Sequence, residues 1–137
     1  ARQAMRAVFG DAFYFVALLN RADQHHARTV AAARQLQDDV VTTEWVLTEF
    51  ADALARSAAR SRVPPFIRDL EQDAKVRIIK ACPELFRRGV ELYEARSDKG
   101  WSLTDCISFV VMQDENLREA LTGDQHFEQA GFVALLK

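Results

Sequence analysis

Asp11, Glu49, Asp105 and Asp124 are the residues of this chain whose type and setting could do chemistry together. Each is wrapped in apolar sequence: "AVFGD", "WVLTEF", "SLTDCISFVV" and "EALTGDQHF". An acid beside an apolar run is held near the core, where an unpaired negative charge is costly. Four carboxylates at one place would repel by ~4 kcal/mol per pair at about 4 Å and an effective dielectric of roughly 20. A shared divalent cation removes that conflict, and an all-oxygen donor set suits Mg²⁺ or Mn²⁺ better than zinc.

Each acid also has a plainer reading. Asp11 and Asp124 stand where helix N-caps are expected. Glu49 lies on the shoulder of the apolar stripe Val46, Leu47 and Phe50, where a solvated carboxylate is equally at home. Ser102 and Asp105 have the spacing of a capping box, and the first-turn dipole favours an ionised Asp105.

The case for one pocket therefore rests on the elements that carry these residues. "MRAVFGD" reads as a strand ending at Asp11, followed by a short apolar helix closed by Asn20. Asp23 is expected to cap a helix from about Gln24 to Gln37, and Thr42 or Thr43 to cap the next, with Val46, Leu47, Phe50 and Leu54 inward. "RSRVPP" breaks that helix, and Pro65 suits the first position of another. "KVRIIK" is a strand; Pro83 opens a helix that "SDKGW" ends at Gly100. Ser102 caps a helix with Leu103, Ile107, Val110 and Val111 inward. "EALTGD" is a buried strand, "QHFEQAG" a helical turn and "FVALL" a last strand or tail.

Strands alternating with helices predict an α/β domain: a mostly parallel central sheet of four to five strands with helices on both faces. Ligands of such sheets gather beyond the carboxyl ends of the strands. Asp11 and Asp124 follow strands directly, and Glu49 and Asp105 lie early in helices that begin near the same edge. Convergence is the expectation.

The chain has 137 residues, the size of one domain spanning 1–137. With 49% hydrophobic and 28% charged residues it can bury a core and stay soluble. No apolar run approaches the ~20 residues of a membrane span, and no signal-peptide pattern is present. A cytoplasmic protein is expected. The net charge of −2 is neutral evidence about nucleic acid, although Arg, whose fork suits phosphate, far outnumbers Lys. Cys82 and Cys106 read as reduced core thiols. His25, His26 and His126 lack metal-ligand spacing. A phosphate-binding Gly-rich loop and a serine elbow are both missing. A phosphoaspartate receiver would need a Lys after its last strand near the site, whereas Lys137 is terminal.

With these segments in view, the chain resembles the PIN-domain ribonucleases, in the branch that includes the VapC-type toxins. "AVFGDAFYFVALLNRADQHHARTV" resembles the first block, and "TTEWVLTEFADAL" the second, whose acid matches Glu49. "WSLTDCISFVVM" and "LTGDQHFEQAGF" are similar to the last two, whose acids match Asp105 and Asp124. Ala12 departs from the Thr or Ser that many members carry, and Gly10 from their β-branched residue. The resemblance implies a three-layer sandwich that hydrolyses RNA phosphodiesters with one or two Mg²⁺ or Mn²⁺ ions. Asp11, Asp105 and Asp124 would be ligands, and Glu49 a ligand or the group that orients water. It also implies an antitoxin over the site groove and a homodimer.

Arg56 and Arg60, one turn apart on the third helix, and Arg62 in the loop beyond it, are candidate phosphate contacts. Solvated surface charge is their plainer reading. An unpaired RNA strand suits a confined acidic pit better than a duplex. The alternative to a nuclease is a PIN-like module that binds nucleic acid or protein and keeps its acids for a structural metal.

Overall fold

The computed structural model describes residues 6–137. Met5, expected at the head of the first strand, lies outside them. β1 (Ala7–Gly10) leads into α1 (Ala12–Leu19) and α2 (His26–Gln35). β2 (Asp39–Thr43) leads into α3 (Glu44–Ala53), a 3-10 turn at Arg60–Arg62 and α4 (Val63–Gln72). β3 (Val76–Ile79) is followed by α5 (Pro83–Ala95) and α6 (Leu103–Asp114), and β4 (Glu119–Leu121) by α7 (Gln125–Gln129) and β5 (Val133–Ala134).

The five strands form one sheet in the order β3-β2-β1-β4-β5, every pair parallel. This is the expected α/β architecture. Its register sets Val8 beside Val40 and Phe9 beside Ala120. The chain runs outward from β1 through β2 to β3 and then returns past β1 to β4 and β5. The aromatic side chains form two groups. Phe15, Phe50 and Phe66 pack together with centroids 5.6, 5.9 and 6.2 Å apart. Phe9, Trp101 and Phe132 gather separately around Phe109 and Phe127, whose rings are 5.0 Å apart.

Three glycines, Gly10, Gly89 and Gly123, stand in close approach to a neighbouring side chain. A Cβ on Gly10 would lie 2.9 Å from Phe15 Cζ and 3.0 Å from Val40 Cγ1, which explains why a β-branched residue cannot stand there. A Cβ on Gly89 would collide with Ile107 Cγ1, so α5 and α6 meet almost backbone to backbone. With α5 laid across it, α6 is buried from Asp105 through Met112.

Several boundaries differ from the expectations. α2 begins at His26, because Asp23 Oδ1 accepts from the His25 amide at 2.7 Å and turns the chain instead of capping a helix. α4 begins at Val63, with Pro64 and Pro65 inside its first turn, where their missing amides cost nothing. α5 ends at Ala95, five residues before Gly100, where Arg96 pairs with Asp98 at 3.0 Å and lies over Trp101. Cys106 is buried and Cys82 half-buried, both as free thiols. Among the described residues no helix is long and apolar enough to cross a membrane.

Candidate metal centre

The four acids come from four elements at the carboxyl edge of the sheet. Asp11 joins β1 to α1. It stands at the N-cap position of α1, but its side chain makes no capping bond. The carboxyl group turns instead to Thr122, whose hydroxyl donates to Asp11 Oδ2 at 2.8 Å. The same hydroxyl oxygen accepts the Asp124 amide at 3.0 Å. Thr122, fully buried after β4, therefore ties the first acid to the last.

Asp105 is the third residue of α6 and completes the expected capping box. Its amide donates to Ser102 Oγ at 3.0 Å, and its Oδ2 accepts the Ser102 amide at 3.2 Å. Asp124 caps α7, with Oδ1 accepting the His126 amide at 2.9 Å. Glu49 projects from the middle of α3, a helix held by Thr43, whose hydroxyl accepts the Val46 amide at 3.1 Å. Capping and pocket roles are thus compatible for Asp105 and Asp124.

Electrostatics links all four. The Asp11 carboxyl is pushed from 3.8 to about 7, mainly by burial and then by the charges of Asp105 and Glu49, against the Thr122 hydrogen bond. Glu49 is also raised, by burial first and then by the charges of Asp105 and Asp124. Carboxylates therefore crowd carboxylates here. The convergence expected from the sequence is present.

His126, which lacks metal-ligand spacing in the sequence, nevertheless stands beside two of the acids. Its Nδ1 lies 3.0 Å from Asp105 Oδ2 and 3.5 Å from Asp124 Oδ1. One ligand atom from each of these three residues lies within 4.8 Å of the others. Spacing among the histidines gave no signal, because the partners of His126 are acids and one of them is 21 positions away. The usable signal was its place two residues after an acid that caps a helix. Thr122, a buried threonine two residues before Asp124, also received no role from the sequence, yet it holds the Asp11 carboxyl group.

The three arginines are placed differently from expectation. α3 ends at Ala53, so Arg56 and Arg60 do not share that helix. Ser57 takes over the backbone there: its hydroxyl donates to Leu54 O at 3.0 Å and accepts the Ala59 amide at 3.1 Å. Arg56 lies in the resulting turn. Arg60 opens the 3-10 turn, donating to Ala55 O at 2.8 Å, and Arg62 closes it. All three are exposed.

The profile of the PIN domain matches residues 8–133. The chain belongs to the PIN domain family. Its fold is similar to that of VapC20 of Mycobacterium tuberculosis, a sarcin-ricin loop cleaving toxin, with a TM-score of 0.85 at 24% identity over 93% of this chain and 98% of that one. VapBC2 of Rickettsia felis, solved bound to a DNA fragment from its promoter, matches with a TM-score of 0.63 at 13% identity, covering 93% and 96% of the two chains. FitAcB of Neisseria gonorrhoeae matches at 0.62 and 18% identity, covering 93% and 94%. No curated protein matches the chain by sequence. In this PIN domain the four acids stand at the carboxyl edge of the sheet, where ligand atoms of Asp105, Asp124 and His126 come closest together.

Proposed function

We propose that this PIN domain is a divalent-cation-dependent endoribonuclease. The observation that carries the reading is the pocket itself: at one sheet edge the charges of Asp105 and Glu49 raise the proton affinity of Asp11, and those of Asp105 and Asp124 raise that of Glu49. Asp11, Asp105 and Asp124 would hold Mg²⁺ or Mn²⁺. Glu49, half-buried beside them, would be a ligand or would orient the attacking water. When bound, the ion acidifies water and neutralises charge on the in-line transition state.

The chain's own residues do the rest. Thr122 fixes the Asp11 carboxylate by donating to one oxygen. The Ser102 amide fixes Asp105 through Oδ2 and leaves Oδ1 for a ligand. Burial of Asp11 and Asp105, 5% and 7% exposed, excludes bulk water from their side of the pocket. With water as the nucleophile, no protein nucleophile is required.

Single-stranded RNA is the proposed substrate, with Arg56, Arg60 and Arg62 as phosphate contacts that position the strand without reading bases. Likeness in fold to VapC20, itself a toxin, supports a toxin role with an antitoxin covering the pocket. A homodimer and a cytoplasmic site of action belong to the same reading. Phe86, Val90 and Tyr93 on α5, exposed at 47, 41 and 54%, offer an apolar stripe for the second copy.

The test is cleavage of labelled single-stranded RNA with Mn²⁺ by wild type, Asp11→Ala and Asp105→Asn. Wild type should cut and both variants should not. Cutting by the variants, or an inert wild type across many RNAs, would overturn the assignment. A cation-induced rise in melting temperature without cleavage would favour the non-catalytic module.

A further inference from the structure

Three donors meet at the rim of the pocket, and one of them is nitrogen. α7 sets His126 there for a local reason. Asp124 accepts the His126 amide at 2.9 Å, so the residue two after the acid is held on the acid's side of the turn. Asp105 is positioned independently by its capping box with Ser102. Neither backbone arrangement depends on the imidazole. Yet Nδ1 comes within 3.0 Å of Asp105 Oδ2 and 3.5 Å of Asp124 Oδ1. The His126 side chain is 26% exposed and that of Asp124 35%, against 9% for Asp105, so the imidazole and Asp124 lie on the pocket's more open side.

Oxygen-only pockets hold Mg²⁺ well, because that ion prefers hard oxygen donors and gives up its waters reluctantly. Imidazole nitrogen shifts the preference toward first-row transition ions. We propose that His126 is a ligand of the pocket's cation together with Asp105 and Asp124, and that this nitrogen makes the site select Mn²⁺ over Mg²⁺. The inference rests on the cation-binding part of the proposed function and is independent of what the domain cleaves.

The experiment uses the full, metal-stripped chain, titrated calorimetrically with MnCl₂ and with MgCl₂, for wild type, His126→Ala and His126→Gln. Electron spin echo spectra of the Mn²⁺ complexes report nitrogen ligation directly. Wild type should bind Mn²⁺ at least about tenfold more tightly than Mg²⁺ and show ¹⁴N modulation. In both variants the modulation should vanish and Mn²⁺ affinity fall by about tenfold or more, while Mg²⁺ affinity moves by less than about twofold. Absence of ¹⁴N modulation in wild type overturns the proposal without reference to any variant's folding. Equal losses for the two ions also overturn it, leaving the imidazole as a bridge between carboxylates. If neither ion binds wild type, the cation reading falls and this inference with it. If Mn²⁺ binds through nitrogen and no RNA is cut, the inference stands and the ribonuclease reading falls.

Discussion

Replacing Asp11 by Asn should stabilise the metal-stripped protein at alkaline pH while abolishing its response to Mn²⁺. Asp11 is 5% exposed, and its carboxyl is pushed from 3.8 to about 7 by burial and by the charges of Asp105 and Glu49. At ~1.4 kcal/mol per tenfold change in proton affinity, that displacement is on the order of 4 kcal/mol. The folded protein holds this proton more tightly than the unfolded chain does. Its stabilising effect is therefore complete below about pH 4 and lost as the pH rises through about 7. At pH 8 the buried carboxylate is a net cost, and at pH 5 about 3 kcal/mol has returned. Asn keeps the shape and can still accept the Thr122 hydroxyl, without the charge. Urea and thermal denaturation in EDTA should show Asp11→Asn ahead by up to ~4 kcal/mol at pH 8, roughly 10 °C, and by about 2 kcal/mol at pH 5. Glu49 is pushed the same way, so the difference between the two proteins isolates Asp11. Saturating Mn²⁺ should stabilise wild type and leave the variant where it was. Equal stability of the two proteins at pH 8 in EDTA would refute the desolvated carboxylate and the charge crowding inferred from it.

Thr122→Val should destabilise the domain by about 1–3 kcal/mol in urea titration, since it strands the Asp124 amide and a buried Asp11 oxygen. Glu49→Gln should abolish Mn²⁺-dependent RNA cleavage while leaving the metal-stripped protein at least as stable as wild type, read by cleavage and melting side by side. Gly89→Ala should cost about 1–3 kcal/mol by forcing α5 off Ile107, whereas Gly100→Ala, with nothing within 4 Å of the new methyl, should shift the urea midpoint little. Val90→Glu, in the middle of the exposed α5 stripe, should convert a dimer to a monomer in sedimentation velocity; a wild type already monomeric at high concentration would remove the dimer from the reading.

How far the site could be read in advance depended on whether each residue's position is decided locally. Asp105 was legible twice over, because Ser102 three residues earlier announces both a helix start and the carboxyl bonded to it. Asp11 and Asp124 were legible as acids directly after apolar strands, and parallel strands bring such positions to one edge. His126 was not legible from the spacing of the histidines, since it meets Asp105 only through the packing of α6 against α7. Arg56 and Arg60 show the opposite failure. Their helical spacing was real in the sequence, but Ser57 between them bonds Leu54 O and the Ala59 amide and ends the helical path. The same contrast decides how Ala12 should be read. The residue after Asp11 carries no hydroxyl, whereas Thr122, distant in sequence and fully buried, donates to that carboxylate at 2.8 Å. If Thr122 supplies what Ala12 lacks, adding a hydroxyl with Ala12→Ser should leave Mn²⁺ affinity within about twofold, while Thr122→Val should lower it about tenfold or more. A gain of tenfold from Ala12→Ser would mean that the Asp11 carboxylate is still short of a donor in the natural chain.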